Sequence, residues 1–263
     1  MTNFAGYQNL WSMKIALFQM DIAWRNPQKN RDNVEKWLEN IDNDVDIVVL
    51  PEMFSTGFSM TPEVDAEPAD GETVNWLIVT AERFGVAMVT SMAIVDNGHY
   101  FNRLFFVEPS GVVTHYDKRH LFRMGEENQH YTAGNQRVVV EYKGWRFLLQ
   151  ICYDLRFPVW ARNLNDYDAI IYVANWPEVR NSAWEILLKA RAVENSCYVI
   201  AANRMGQDEK VNYIGNSMIL NYKGEVISTN SSDSVTAVLE QDRLQQFRVK
   251  FPVQLDADAF VIK

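Results

Sequence analysis

Short apolar runs alternate with amphipathic helical segments at the start of this sequence, and this alternation constrains the fold more than any other feature. Residues 15–20 form the first apolar run, and the Asn26-Pro27 pair that follows is a typical helix start. The next apolar residues recur at the spacing of one buried helix face, at Val34, Trp37, Leu38 and Ile41. A second unit repeats this order, with an apolar run at residues 47–50 and a helix predicted around residues 74–81. Two consecutive strand–helix units predict a layered α/β fold.

The middle of the chain changes to hairpin strands. Strands predicted at residues 86–95, 100–107 and 112–116 are joined by turns too short to contain helices, so we expect antiparallel pairing. Later elements are a hairpin, a strand, a helix, a strand and a last hairpin, at residues 137–151, 169–173, 182–195 and 197–202 and around Lys223-Gly224. This mixture predicts a mixed sheet, or two sheets with helices outside them, in one domain.

The composition is that of an ordinary globular protein, with 48% hydrophobic and 22% charged residues among 263. A chain of this length buries roughly three quarters of its extended surface on folding, so its core needs no disulfide or metal. We expect residues 13–263 to form a single domain, with residues 1–12 as a leader. Residues 241–263 carry several large apolar side chains, and we expect this C-terminal arm to dock at a subunit interface.

The charge and hydropathy of the sequence limit the kinds of binding partner and the cellular compartment that we expect for this protein. The formal net charge of −9, with no local basic run, argues against binding of nucleic acid or anionic membranes. No apolar run approaches the roughly eighteen residues of a membrane span, and the first residues lack the features of a signal peptide. Cys152 and Cys197 are the two cysteines, and we expect both to be reduced. These features together predict a cytoplasmic protein.

Three chemically complementary side chains directly follow predicted strands. Glu52 comes after residues 47–50, Lys118 after residues 112–116, and Cys152 at the end of the hairpin. A thiol nucleophile, a carboxylate base and a cation that stabilises an oxyanion and lowers the thiol pKa make a complete set for acyl transfer. Taken singly, each residue also has an ordinary structural explanation in a core, a turn or a solvated loop. Only the folded chain can bring them together.

The sequence predicts neither a metal site nor a cofactor. The histidines lack the spacing of metal ligands, and no glycine-rich segment has the pattern of a phosphate-binding loop. No histidine follows a predicted strand together with an orienting carboxylate, which argues against a hydrolase of the Cys-His type. The histidines are His99, His115, His120 and His130.

Three motifs, in this order, resemble those of the nitrilase superfamily of carbon-nitrogen hydrolases: Pro51-Glu52-Met53-Phe54, Asp117-Lys118-Arg119-His120-Leu121-Phe122 and Cys152-Tyr153-Asp154-Leu155-Arg156-Phe157-Pro158. Two later segments, residues 174–177 and 190–195, also resemble segments of that superfamily. The similarity spans residues 13–239. Within the superfamily the chain resembles the ω-amidase branch.

The resemblance implies an α-β-β-α sandwich that assembles as a homodimer, with a Glu52-Lys118-Cys152 triad and neither metal nor cofactor. It also implies a second glutamate before the nucleophile strand. Glu127 is the first choice for this acid and the adjacent Glu126 is the alternative. Lys118 and the backbone N–H of Tyr153 would stabilise the oxyanion that forms when Cys152 attacks an amide carbonyl.

The implied activity is hydrolysis of the terminal amide of 2-oxoglutaramate or 2-oxosuccinamate through a thioester. Another amidase, a carbamoyl hydrolase or a nitrilase would use the same residues, and a non-catalytic binding protein of this fold is a further alternative. A small anionic substrate requires a second cation, which we expect to be Arg180, with Arg156 as the alternative. We expect Phe58, Trp176 and Phe54 to form an apolar wall around the substrate.

Overall fold

The computed structural model describes residues 12–208 and 211–261. Helices are α1 (Pro27–Leu38), α2 (Pro62–Asp65), α3 (Glu72–Phe84), α4 (Glu127–His130), α5 (Asn181–Asn195) and α6 (Gln241–Lys250). Strands are β1 (Ser12–Phe18), β2 (Ile47–Val49), β3 (Glu67–Pro68), β4 (Ala87–Asp96), β5 (His99–Val107), β6 (Val113–Asp117), β7 (Val139–Tyr142), β8 (Trp145–Ile151), β9 (Ala169–Ala174), β10 (Tyr198–Asn203), β11 (Met205–Gln207), β12 (Asn212–Ile214), β13 (Met218–Leu220), β14 (Thr229–Asn230) and β15 (Ser234–Glu240). Residues 1–11 of the predicted leader lie outside this description, and Ser12 already belongs to β1.

Two mixed sheets contain most of the strands. The larger sheet has the order β14-β15-β1-β2-β4-β5-β6, with β3 also paired to β4, and the second has the order β13-β10-β9-β8-β7. Strands β1, β2 and β4 are parallel, as the strand–helix units predict, and β4, β5 and β6 are antiparallel, as the short turns predict. Strands β11 and β12 form a small separate hairpin.

Successive side chains of a strand point to opposite faces of its sheet, and the sheets and helices therefore pack in four layers. Ile15 and Leu17 of β1 lie in the apolar cluster between the two sheets, together with Leu149 of the second sheet. The intervening residues Ala16 and Phe18 face the other side, where α1 and α3 cover the larger sheet. Helix α5 covers the outer face of the second sheet. The predicted α-β-β-α sandwich is therefore confirmed.

Local sequence accounts for the first helix boundary. The Asn26 side chain accepts a hydrogen bond from the backbone N–H of Lys29, and Pro27 occupies the first turn. A side-chain oxygen at this position satisfies an amide that has no partner within the helix. The buried face includes the predicted residues Val34, Trp37 and Leu38.

The strand after the turn at Lys223-Gly224 differs from the prediction. The Asn221 N–H donates to the Glu225 carbonyl across the turn at 2.9 Å, but the segment that follows adds only an isolated bridge to β13. Strand β15 instead lies in the other sheet, antiparallel to β1. The reason is its alternation, which buries Val235 and Leu239 in the cluster between the sheets.

The C-terminal arm begins with α6, which packs on its own domain. Leu244 is buried, and the Arg248 guanidinium donates to Asp168 at 2.8 Å and to the Ser196 carbonyl at 2.9 Å. Phe251 beyond the helix is exposed. Docking of the arm on a second subunit stays a prediction.

Candidate active site

Lys118 lies between two glutamate side chains in a buried cluster. Its Nζ donates to Glu52 Oε1 at 2.8 Å and to both carboxylate oxygens of Glu127 at 3.0 Å. All three side chains are buried, although Glu52 and Lys118 are 66 residues apart in sequence. Glu52 follows β2, Lys118 follows β6 and Glu127 begins α4. The fold therefore brings Glu52 and Lys118 together and adds Glu127, whereas Glu126 is exposed at the rim of the pocket described below.

Two asparagines that the sequence analysis missed orient these carboxylates. Asn102 Nδ2 donates to Glu52 at 2.7 Å and to Glu127 at 3.1 Å, and the Asn102 carbonyl accepts from the Lys118 N–H. The Asn175 backbone N–H donates to Glu52 Oε2 at 3.0 Å. Asn102 is a buried polar residue in β5 with no charge of its own, next to the ion-paired Arg103, and a buried amide at this point of a strand is the signal that could have identified it.

Cys152 lies at the point where β8 ends and a 3-10 turn, Cys152–Arg156, begins. Its φ of +43° is in the left-handed region, which is unfavourable for any residue but glycine and costs about 1–3 kcal/mol. Parallel pairing of β8 with β9 places Ile151 beside Val173, so the segments around Cys152 and Asn175 are neighbours. Cys152 lines the same pocket as Glu52 and Lys118.

The cluster has a net negative charge when all three groups are ionised, and this affects the thiol. Burial and the Glu52 carboxylate raise the pKa of Cys152 well above its ordinary value, and the smaller effect of Lys118 lowers it. Lys118 therefore lowers the thiol pKa as expected, but burial and the Glu52 carboxylate outweigh its effect. Despite burial, the Glu127 and Glu52 carboxylates raise the pKa of Lys118, which stays an ammonium. Burial raises the pKa of Glu127.

The raised thiol pKa predicts slow alkylation at neutral pH. A thiol reacts as the thiolate, so the rate of iodoacetamide labelling at Cys152 should rise about tenfold per pH unit from pH 7 to 9 without levelling off. Stopped-time labelling with mass spectrometry measures this rate, and Cys152→Ala serves as the control because the other thiol, Cys197, is buried. A rate that is already constant above pH 7 would show a thiolate and contradict the prediction.

A pocket of about 880 Å³ opens above the cluster. Of the predicted wall residues, Phe58 and Trp176 line it, and the Lys118 ammonium lies 5.2 Å from the centre of the Phe58 ring. Phe54 does not: it is fully buried in the cluster under α1 and α3, where it stacks on Trp76 at 5.9 Å. The prediction that Phe54 contacts substrate was wrong, because the segment after Glu52 points this ring into the helix-facing core.

Two arginines line the pocket above Cys152. The Arg156 guanidinium lies 5.3 Å from the ring of Trp176, and the Arg180 guanidinium lies 5.1 Å from the ring of Phe122. In the part of the chain that the structure describes, neither forms an ion pair with a carboxylate. The acids Asp154 and Glu194 pair with His120 and Arg191 and not with Arg156. Among the described residues, no carboxylate competes with an anionic ligand for either cation.

The oxyanion contact predicted for Tyr153 involves the first turn after the nucleophile. Its backbone N–H belongs to the start of the 3-10 helix, where amides have no partner within the helix. The Tyr153 ring is held edge-on by Phe122 and Phe157, each at 5.1 Å. The pocket wall also includes Trp24, Asp208 and Tyr213, which the sequence analysis did not single out.

No group of three or more histidine, cysteine, aspartate or glutamate side chains within residues 12–208 and 211–261 is arranged to hold a metal ion. No helix in those residues is long and apolar enough to cross a membrane.

Comparison with known proteins gives consistent results over nearly the whole chain. Residues 14–249 match the carbon-nitrogen hydrolase family. The chain is 44% identical to the ω-amidase YafV of Escherichia coli K12, covering 94% of this chain and 98% of that protein. It is 31% identical to the 2-oxoglutaramate amidase of Bacillus subtilis, covering 91% and 95%. Its fold superposes on XC1258 of Xanthomonas campestris, a CN-hydrolase with an arsenic adduct in its active site, with a TM-score of 0.92, 40% identity and 96% and 99% coverage.

Proposed function

This chain belongs to the carbon-nitrogen hydrolase family, and from this membership and its pocket we propose that it is an ω-amidase. It hydrolyses the terminal amide of a small 2-oxo dicarboxylic acid monoamide, 2-oxoglutaramate or 2-oxosuccinamate, to the oxo acid and ammonia. The observation that carries this proposal is the buried Glu52-Lys118-Glu127 cluster beside Cys152, below a pocket with two arginines that form no ion pair within residues 12–208 and 211–261. The identity to ω-amidase YafV supports the choice of branch over a nitrilase or carbamoyl hydrolase.

Acylation begins with Cys152 as a neutral thiol, because its pKa is raised. Glu52 takes the thiol proton as Sγ attacks the amide carbonyl, so the sulfur–carbon bond forms without a free thiolate in the resting enzyme. The Lys118 ammonium and the Tyr153 N–H stabilise the tetrahedral oxyanion. Glu52 then returns the proton to the leaving nitrogen, the carbon–nitrogen bond breaks, and ammonia departs from a thioester.

Deacylation uses the same base. A water molecule attacks the thioester carbonyl, Glu52 takes a proton from it, and the proton passes to the departing Cys152 sulfur as the carboxylic acid is released. Glu127 holds Lys118 through two hydrogen bonds of 3.0 Å, so its role is to keep the ammonium in place through both steps. Asn102 donates to both carboxylates and so fixes their positions relative to each other.

The two arginines supply specificity for an anion. A guanidinium forms two parallel hydrogen bonds to a carboxylate. The aromatic rings beside Arg156 and Arg180 already restrict the orientations of these side chains, so each loses less conformational entropy when it binds an anion. We assign the carboxylate of the substrate to Arg180, with Arg156 as the alternative. Phe58 and Trp176 border the path between this carboxylate and the amide at Cys152.

We also propose a cytoplasmic homodimer. Phe251, Leu255 and Val261 of the C-terminal arm are exposed in the single chain, which supports burial against a second copy. The cysteines Cys152 and Cys197 are unpaired, which supports a reducing compartment.

Ammonia release from a panel of compounds tests the proposed activity. The panel contains 2-oxoglutaramate, 2-oxosuccinamate, glutamine, a neutral aliphatic amide and an aliphatic nitrile. We expect kcat/KM to be highest for the two oxo-acid amides. Arg180→Ala should lower kcat/KM for these anions about 10- to 100-fold, through the loss of a charge-assisted pair, and change the value for the neutral amide less than threefold.

Arg156→Ala is the matched control, because it removes the other pocket arginine. An equal loss for anionic and neutral amides in Arg180→Ala would contradict the carboxylate assignment. Turnover of only the neutral amide or the nitrile would contradict the ω-amidase proposal and leave the family membership intact.

A further inference from the structure

Asp154 is a buried carboxylate two residues after Cys152, and the chemistry proposed above does not use it. Its Oδ1 accepts the backbone N–H of His120 at 3.0 Å and lies 2.7 Å from His120 Nδ1. Its Oδ2 accepts the Tyr116 hydroxyl at 2.8 Å and the Ile151 backbone N–H at 2.9 Å. Because an ionised carboxylate can only accept hydrogen bonds, His120 Nδ1 carries the proton. The carboxylate therefore accepts four hydrogen bonds, two at each oxygen.

The four donors belong to the two segments that carry the reacting groups. Tyr116 and His120 lie two residues before and two residues after Lys118, and Ile151 immediately precedes Cys152. The nucleophile turn, Cys152–Arg156, therefore holds the Lys118 segment through one carboxylate, which binds a residue before Lys118 and a residue after it. These segments belong to different sheets, since β6 precedes Lys118 and β8 precedes Cys152.

Neighbouring contacts hold the donors in place. The Tyr116 hydroxyl also accepts the Arg119 N–H at 3.1 Å and Trp160 Nε1 at 3.2 Å, which directs its own proton to Asp154. The His120 ring stacks on Phe157 with centroids 3.9 Å apart, and its edge meets Trp160. The imidazole therefore has one favoured orientation, with Nδ1 towards Asp154.

The nucleophile turn is the part of the site that most requires such support. Cys152 has a φ of +43°, and such a conformation persists in a residue other than glycine only when the surroundings determine it. The Asp154 side chain closes the turn around Cys152 by bonding the Ile151 N–H. The same side chain holds the segment whose ammonium must meet the oxyanion that forms at the attacked carbonyl.

We propose that Asp154 is a positioning residue that sets the distance between Lys118 Nζ and Cys152 Sγ, and that His120 Nδ1–H is the side-chain donor on which this setting depends. Misplacement by about 1 Å at a reacting centre can cost about 100-fold in rate. The proposal rests on the proposed function for its activity measurements, but the thiol chemistry of Cys152 reports on it independently.

The first test compares His120→Asn with His120→Leu. An asparagine Nδ2 can donate from nearly the position of His120 Nδ1, whereas leucine has no donor, and both variants lose the stack on Phe157. We expect His120→Leu to lower kcat for 2-oxoglutaramate about 10- to 100-fold with KM changed less than twofold. His120→Asn should stay within about threefold of the wild type. Equal kcat values in the two variants would overturn the role of the donor.

The second test compares Asp154→Asn with Asp168→Asn. Asp168 is also buried and binds two arginines, but it does not line the pocket. Both substitutions should lower the melting temperature, but only Asp154→Asn should lower kcat, by about 100-fold. An Asp154→Asn protein that folds and keeps the wild-type kcat would overturn the proposal. Should Asp154→Asn fail to fold, the His120 pair decides.

Alkylation of Cys152 separates failure of this proposal from failure of the proposed function. Lys118 lowers the pKa of the thiol, so displacement of its ammonium should slow iodoacetamide labelling at pH 8.5 at least threefold in His120→Leu, but not in His120→Asn or Asp168→Asn. An unchanged or faster rate in His120→Leu would overturn the positioning role. Absence of amide turnover in the wild type, with the labelling difference present, would overturn only the proposed function.

Discussion

Cys152→Ala should reduce the kcat for 2-oxoglutaramate by a factor on the order of 10⁴ to 10⁶, because it removes the sulfur that forms the acyl intermediate. Lys118 and the backbone amides would still bind and polarise the carbonyl, so weak substrate binding should remain. The substitution removes one sulfur atom from a half-buried residue and leaves the turn at φ +43° unchanged, so the melting temperature should change by only a few degrees. Ammonia release under saturating substrate, together with calorimetry, measures both quantities.

Cys197→Ala provides the matched control. Cys197 is the other free cysteine, fully buried in the cluster between the second sheet and α5, and it does not line the pocket. We expect its replacement to lower stability slightly and to leave kcat unchanged. Turnover in Cys152→Ala above about one hundredth of the wild-type rate would require a different nucleophile and would contradict the thioester mechanism.

Glu52→Gln should separate the reactivity of the thiol from turnover. Loss of the general base should lower kcat about 10²- to 10⁴-fold. The Glu52 charge helps to raise the pKa of Cys152, so its removal lowers that pKa and should make iodoacetamide labelling at pH 8 faster than in the wild type. Lower activity together with faster alkylation is expected if Glu52 takes the thiol proton during the reaction. It is not expected if Glu52 keeps Cys152 deprotonated in the resting enzyme. Labelling and ammonia release on the same preparation measure the two effects.

Glu126→Gln is the control for charge at the pocket. Glu126 is exposed at the rim, and we expect its neutralisation to change kcat less than threefold. Glutamine at position 52 also presents an N–H group towards the Asn175 N–H, so some loss of stability is expected. Slower labelling in Glu52→Gln, or turnover within threefold of the wild type, would contradict the assignment of Glu52 as the base.

Patterns within short stretches of sequence were sufficient to predict the helices and strands and the residues that directly follow the strands. The apolar run at residues 15–20 marked β1, and the Asn26-Pro27 pair marked the start of α1. The three motifs placed Glu52, Lys118 and Cys152 after strands, where the structure has them. Such features depend on neighbours a few residues away, which a single sequence displays directly.

Other features depended on contacts between distant segments. Glu127 and Glu126 are adjacent and chemically identical, and only the fold buries the first against Lys118 and exposes the second. Asn102 orients two carboxylates from β5, a strand to which the sequence assigned no site residue. Phe54 follows Glu52 by two residues but faces the core, because the turn between them redirects its ring.

The sequence alone therefore determined the family resemblance, the layered α/β architecture and three residues of the candidate site. The tertiary structure alone decided the raised pKa of the Cys152 thiol, the choice of Glu127 as the second partner of Lys118 and the four-donor anchoring of Asp154. The physical reason is that secondary structure follows local periodicity, whereas burial and electrostatic interaction depend on which groups lie within a few ångströms after folding. Glu52, Lys118 and Cys152 are far apart in the chain, so their combined chemistry exists only in the folded protein.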